Sequence, residues 1–256
     1  LNETIERLAA IRRFEAAGFR AWPAGSVLYD GTWAVRLTKG HPSYRLNSVN
    51  PLDPGDTRDL PGRIERAAQR FNAFDRPLTF RLTPLAATSI AAYLDAEGWL
   101  SVKSSTVMRL SLSEKIVGDA MDQIPLKDLD RFIAAAFRVH DYAPELRSGF
   151  AEVVGAIKPE KGLFVLEQDD RPVSAAICVH DGALAGIFEL STAEPHRCKG
   201  YGRRVLLSAL KWAYLRGATI AWLQVHDTNE PARNLYRSLG FEDVYQYHYR
   251  QPPKER

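Results

Sequence analysis

Apolar residues recur at helical spacing from the start of the chain. Ile5, Leu8, Ala9, Ile11 and Phe14 share one face of "ETIERLAAIRRFEAAGF", and Gly18 closes the segment. The period then switches. "TWAVRLT" alternates as a strand does, "NPLDPGDTRDLPG" concentrates turn residues, and "RIERAAQRFNAF" returns to helix. A short strand "LTFRLT", a helix in "PLAATSIAAYLDAEGW" with Pro84 near its start and Gly98 at its end, and a strand "STVMRLSL" complete a first α plus β unit over residues 1–112. Residues 113–123, "SEKIVGDAMDQ", have weak periodicity and read as a linker.

The second unit, residues 124–256, opens with the helical "LKDLDRFIAAAF" and continues with three strands, "GLFVLEQ", "PVSAAICVH" and "ALAGIFELST". Asp169 with Asp170 and Asp181 with Gly182 stand between them, and the Asp-Gly pair is a strong hairpin signal. A helix with Val205, Leu206, Ala209, Leu210 and Ala213 on its apolar face follows, then the buried-looking strand "TIAWLQV". A last helix starts after Asn229 and ends at Gly240, and "VYQYHYR" alternates as a final strand. Strands joined first by hairpins and then by helical crossovers predict a mixed sheet with helices on its faces, in the α+β class. Both units end a helix on glycine plus an aromatic residue, in "AAYLDAEGW" and "RNLYRSLGF", so a duplicated fold is expected.

Composition changes this picture little. At 256 residues, 45% apolar and 25% charged, the chain has the make-up of an ordinary globular protein large enough for two cores. No run of eighteen apolar residues occurs, so no membrane association is expected. The first helix carries acidic residues and lacks the continuous apolar stretch of a signal peptide, and Cys178 and Cys198 make no disulfide framework, so the expected setting is cytoplasmic. Cys178 and His180, and His196 and Cys198, have the spacing of no common zinc module, so no metal is expected.

Charge is more informative. The net charge is only +3, yet from Pro195 to His226 there is no acidic residue, while Arg197, Lys199, Arg203, Arg204, Lys211 and Arg216 are basic. Such a patch attracts anions. Nucleic acid is disfavoured as the partner, since charges elsewhere nearly balance and no basic and aromatic ladder recurs.

The patch contains "RCKGYG", Arg197–Gly202, between the strand ending at Thr192 and the helix starting near Gly202. A helix N-terminus presents unpaired N–H groups and the positive end of its dipole. Gly200 and Gly202 let the backbone approach a ligand and turn successive N–H groups inward, which suits a diphosphate. A tight turn capping the helix is the plain alternative. Arg197, the preceding strand and the following apolar helix favour the anion. The third glycine of a dinucleotide fingerprint is missing, and no Gly-Lys precedes Ser or Thr as in the phosphate loops of nucleotide hydrolases.

"RCKGYG" together with "LQVHDTNEPARNLYRSLGF", in which Asn229, Ala232, Tyr236, Gly240 and Phe241 hold the fixed positions, resembles the GNAT (GCN5-related) N-acetyltransferases. The resemblance covers roughly the second half of the chain. The first half resembles a degenerate GNAT-type domain of the kind fused in front in tandem members. The resemblance implies the GNAT acyl-coenzyme A fold, acetyl-coenzyme A as co-substrate without a metal, and transfer to a small-molecule or peptide primary amine by direct attack in a ternary complex. A homodimer is allowed. A module that binds or senses acyl-coenzyme A without turnover is the competing reading.

By the same resemblance, Arg197, Cys198, Lys199, Gly200, Tyr201, Gly202 and Arg203 would hold the diphosphate. The pantetheine arm would lie where "FELST", with Leu190, Ser191 and Thr192, splays from "AWLQV", near Asn229 and Ala232. Tyr236 would be the general acid that protonates the leaving thiolate, although a tyrosine at that helix position is also an ordinary core residue. Glu189 would take the amine proton, directly or through water, with a solvated or salt-bridged carboxylate as the alternative. In a regular strand Glu189 points away from the face of Phe188 and Leu190, and a bulge would change that. Asn229 also suits an N-cap, and His226 suits a polar loop. His140, Asp141, Tyr142 and Glu145 are candidates for polar contacts with the acceptor.

Overall fold

The computed structural model describes residues 2–253. The chain forms two compact units, one of Leu1–Val107 with Val244–Arg256 and the other of Met108–Asp243.

In the first unit, α1 (Asn2–Ala21) precedes the antiparallel strands β1 (Ser26–Asp30), β2 (Trp33–Leu37) and β3 (Ser48–Pro51), and β3 pairs in parallel with β4 (Phe80–Leu82). Helix α2 (Leu60–Asn72) starts at Asp59, whose carboxylate accepts the Gly62 N–H, and α3 (Thr88–Ala96) follows β4. The core gathers Trp33, Phe71, Phe80, Ile90 and Trp99, with Trp33 and Trp99 each edge-on to Phe80 at 5.2 and 5.5 Å. β1 and β3 were not anticipated. The middle of β1 is exposed and so lacks an alternating pattern, while β3 is wholly buried although polar at Ser48 and Asn50. The Asn50 amide repays that burial by donating to the Ser48 and Ala34 carbonyls at 2.8 and 3.2 Å.

β5 (Leu100–Ser111) carries the chain into the second unit. There β6 (Glu160–Gln168), β7 (Arg171–Asp181) and β8 (Leu184–Thr192) form an antiparallel meander, and β8 pairs in parallel with β9 (Ile220–His226). The two aspartates between β6 and β7, Asp169 and Asp170, both adopt positive φ, 51° and 58°, as a tight two-residue hairpin requires. Both faces of β7 are buried. Ala176 and Cys178 join the core of α7 (Tyr201–Tyr214), which includes Val205, Leu206, Ala209, Leu210 and Ala213. By alternation Ala175, Ile177 and Val179 face the other way, and α5 (Leu129–His140) packs on β7 through its own apolar stripe. Helix α6 (Arg147–Ala156), unanticipated because Gly149 and Gly155 weaken its pattern, and α8 (Glu230–Ser238) complete the unit.

Two details differ from the sequence reading. Residues 113–123 are part of the second unit: they contain α4 (Glu114–Val117) with Val117 buried, and Lys211 Nζ donates to the Ala120 carbonyl at 2.9 Å. The final strand, β10 (Glu242–Gln251), lies almost entirely in the first unit, antiparallel to β4. Its alternating tyrosines explain the placement. Tyr245, Tyr247 and Tyr249 are buried, the Tyr245 hydroxyl donates to Glu15 at 2.5 Å, and the Arg81 guanidinium lies over the Tyr247 ring at 3.8 Å.

Candidate active site

Two irregularities of β8 open the site. The ladder between β8 and β9 ends at Ile187↔Leu223, although β8 runs on to Thr192 and β9 to His226. The strands therefore part beyond Ile187 and Leu223: "FELST" lies past the ladder, whereas Ala221, Trp222 and Leu223 of "AWLQV" are still paired with β8 and only Gln224 and Val225 of that segment lie beyond it. On its other edge β8 is bulged. Ile177 pairs with Phe188 and Ala175 with Ser191, so Glu189 and Leu190 stand opposite the single residue Ala176. Glu189 takes φ 51°, a left-handed conformation unusual for a glutamate. The bulge breaks the alternation on which a regular-strand reading of Glu189 depends.

At the end of β8 the chain enters the glycine motif. Cys198 and Gly200 have φ of 58° and 82°, and Gly200 is the N-cap of α7. The first bond of the helix runs from the Arg204 N–H to the Gly200 carbonyl at 3.0 Å. The N–H groups of Tyr201, Gly202 and Arg203 consequently lie ahead of any carbonyl four residues back. Gly202 is needed for closeness rather than for its dihedrals: a Cβ there would stand 3.0 Å from Thr192 Oγ1. Thr192 is itself fixed, with Oγ1 3.1 Å from Ser174 Oγ, and the loop is tied down by Arg197 Nε to the Thr192 carbonyl at 3.3 Å.

A cleft of about 610 Å³ extends from this loop between β8 and α8. Every residue expected to hold the co-substrate lines it, from Leu190, Ser191 and Thr192 through the loop and Arg203 to Asn229, Ala232 and Tyr236, except Lys199. Lys199 Nζ instead donates to the Pro195 carbonyl at 2.9 Å. The lining also includes His196, Pro231 and Leu235, which the sequence reading missed. Leu235 sits three residues after Ala232 on the same helix face, a signal that was available.

Asn229 is the N-cap of α8, its Oδ1 accepting the Ala232 N–H at 3.3 Å, and this fixes the helix that carries Tyr236. Tyr236 is 7% exposed, with its ring 5.7 Å from that of Phe241, and burial pushes its hydroxyl up to about 12. The phenol is thus held in its proton-bearing form. His226 is occupied locally, its Nδ1 accepting the Thr228 N–H at 3.2 Å.

Glu189 does not border the cleft but adjoins Leu190, which does. Its carboxylate accepts a hydrogen bond from the Tyr142 hydroxyl at 2.7 Å, and His140 Nε2 lies 3.1 Å from its backbone oxygen and 4.0 Å from Oε2. Two of the four expected acceptor-side residues therefore meet Glu189, while Asp141 and Glu145 are exposed. Asp141 has a structural role as the left-handed C-cap of α5, its N–H bonded to the Phe137 carbonyl. Among the described residues no group of three or more His, Cys, Asp or Glu side chains could hold a metal ion, and no helix is long and apolar enough to cross a membrane. Cys178 is buried and Cys198 exposed, and neither is in a disulfide.

Residues 126–241 match the model of the Acetyltransferase (GNAT) family. An "Uncharacterized N-acetyltransferase YobR" of Bacillus subtilis is 26% identical over 253 residues, covering 94% of this chain and 98% of its own. Among solved structures, a GCN5-related N-acetyltransferase from Kribbella flavida superposes with a TM-score of 0.68 at 22% identity, over 95% of this chain and 96% of its own. A tandem GNAT protein from the clavulanic acid biosynthesis pathway gives 0.63 at 15% identity, over 94% of this chain and 88% of its own, so the likeness reaches both units. The chain has the mixed-sheet GNAT fold, and its residues 126–241 are similar to the acetyltransferase (GNAT) family.

Proposed function

We propose that the second unit transfers an acetyl group from acetyl-coenzyme A to a primary amine, by direct attack within a ternary complex. The observation that carries this reading is one cleft bordered by the end of β8 past its ladder with β9, by the residues at the mouth of α7 and by Tyr236. The donor set fits the co-substrate. Backbone N–H groups and the basic side chains of Arg197 and Arg203 suit a diphosphate, and the end of β8 that borders the cleft past its ladder with β9 suits the amides of pantetheine.

Acetyl-coenzyme A supplies an activated acetyl thioester. The residues of this chain position it and manage two protons. The amine must lose a proton before it can attack, and the Glu189 carboxylate accepts that proton, directly or across one water. Tyr236 holds a proton on its phenol oxygen until the coenzyme A sulfur leaves, and its raised affinity for the proton keeps it loaded across the working range. The acceptor approaches from the side of Glu189, His140 and Tyr142. The first unit has no counterpart of the Arg197–Gly202 motif, so the proposal places one co-substrate per chain.

Isothermal titration with coenzyme A, followed by thiol release from acetyl-coenzyme A across a panel of amines, tests the reading. One equivalent of coenzyme A bound and amine-dependent thiol release are expected. Binding without release by any amine would favour the acyl-coenzyme A sensing module instead.

A further inference from the structure

The candidate base stands in a conformation that its own residue type disfavours, and two side chains from a distant segment hold it there. A left-handed glutamate persists only when its surroundings over-determine it. Here the backbone and the carboxylate of Glu189 are gripped separately. His140 Nε2 lies 3.1 Å from the Glu189 carbonyl oxygen, and since that oxygen can only accept, Nε2 must carry the hydrogen. The Tyr142 hydroxyl donates to Glu189 Oε2 at 2.7 Å.

The two gripping residues are built as one piece. The left-handed C-cap at Asp141, φ 54°, turns the chain so that the Tyr142 ring stacks on His140, with centroids 4.5 Å apart and 11° between planes. Tyr142 is backed in turn by Phe137 at 5.5 Å and Phe150 at 6.1 Å. His140 and the Glu189 side chain are only 12% and 9% exposed, so water competes little for these bonds.

We infer that His140 and Tyr142 are positioning residues for amine deprotonation: His140 fixes the β8 bulge through the Glu189 carbonyl, and Tyr142 aims the Glu189 carboxylate. The inference rests on the proposal that Glu189 is the base. Neither residue touches the reacting atoms. A carboxylate free to rotate away from the amine loses turnover without weakening coenzyme A binding, and a misplacement of about 1 Å costs up to roughly a hundredfold.

The test is a set of variants of the full chain, assayed by thiol release from acetyl-coenzyme A with spermidine, alanine amide and Nα-acetyl-lysine amide as probe amines. Tyr142→Phe and His140→Ala are each expected to lower kcat about tenfold with KM for acetyl-coenzyme A unchanged. His140→Gln, whose amide can donate to the same carbonyl, is expected to recover most of the loss. In a Glu189→Gln background neither Tyr142→Phe nor His140→Ala should lower turnover further, because both act through the removed carboxylate. An impaired Glu189→Gln enzyme combined with wild-type kcat in Tyr142→Phe and His140→Ala, or with losses that multiply in the double variants, would overturn the bracket and leave the base standing. Full turnover in Glu189→Gln would remove the base, and the bracket with it. A readout free of turnover is the ¹⁵N spectrum of the neutral His140 ring: the proton is expected on Nε2, and a proton on Nδ1 would overturn the bracket whether or not a probe amine is acetylated.

Discussion

Replacing Tyr236 with phenylalanine removes one hydroxyl and leaves the ring that packs against Phe241. Stability should change by no more than about 1 kcal/mol, or roughly 2–4 °C in Tm for a chain of this size. Turnover should fall much more. General acid catalysis contributes about 10²–10⁴-fold, and a thiolate is a comparatively good leaving group, so a loss near 100-fold is expected, equivalent to about 2.7 kcal/mol in the barrier. The hydroxyl matters most as charge grows on sulfur, so kcat should fall while acetyl-coenzyme A affinity holds. The pH behaviour follows from burial. The folded hydroxyl is pushed up to about 12, above its ordinary 10, so the folded state binds the proton more tightly than the unfolded chain. The resulting stabilisation is fully present below pH 10 and is lost as pH rises toward 12, by at most about 3 kcal/mol. The variant should lack that component of alkaline destabilisation, and no alkaline limb of activity below about pH 11 should be traceable to Tyr236. Saturation curves for both substrates and alkaline melting curves of the two proteins make the test. Wild-type kcat in a folded Tyr236→Phe protein, or an alkaline limb near pH 8 that the substitution abolishes, would refute the reasoning.

Gly202→Val places a Cβ 3.0 Å from Thr192 Oγ1 and branched carbons at the mouth of α7, so coenzyme A affinity measured by titration should drop at least tenfold with a much smaller effect on folding. Unchanged affinity in a folded variant would take the motif out of the co-substrate site. Asn229→Ala deletes the α8 cap and should cost about 1 kcal/mol by urea unfolding, with kcat lowered only as far as Tyr236 is displaced. Arg81→Met strands the buried Glu15 carboxylate in the first unit and should cost about 3–5 kcal/mol, whereas Arg81→Met with Glu15→Leu should be markedly milder; equal losses in calorimetry would show that Glu15 does not need its partner.

The fold was legible where local pattern or turn chemistry decides it. The α7 stripe, the Asp181-Gly182 hairpin and the β6 to β8 meander follow from local pattern and turn chemistry, and the structure keeps them. It was illegible where the deciding partner is remote. Nothing within "VYQYHYR" reveals that its buried tyrosines pack in the first unit, because Glu15 lies 230 residues from Tyr245, and Arg81, the other partner, lies 66 residues from Glu15. Polar β3 and exposed β1 likewise lack the contrast between faces on which a strand pattern depends.

The two sides of the candidate site differ in the same way, and for a physical reason. The co-substrate side is made largely of backbone. Its requirements fall on dihedrals and on close approach, at Gly200 and Gly202, and these leave a mark at fixed spacing in a single short stretch. The opposite side is made of side chains brought together by topology: Tyr142 and His140 reach Glu189 across 47 and 49 residues, and the bulge that re-aims Glu189 depends on a register shift against β7. A backbone cradle recognises a feature common to many donors, such as a diphosphate, and tolerates change in the side chains around it. A cluster of side chains recognises whatever those side chains complement, so substitutions there can alter the acceptor without disturbing the donor site. On the proposed function, the identity of the acceptor is accordingly to be sought in the surroundings of His140, Tyr142 and Glu189 rather than in the glycine motif.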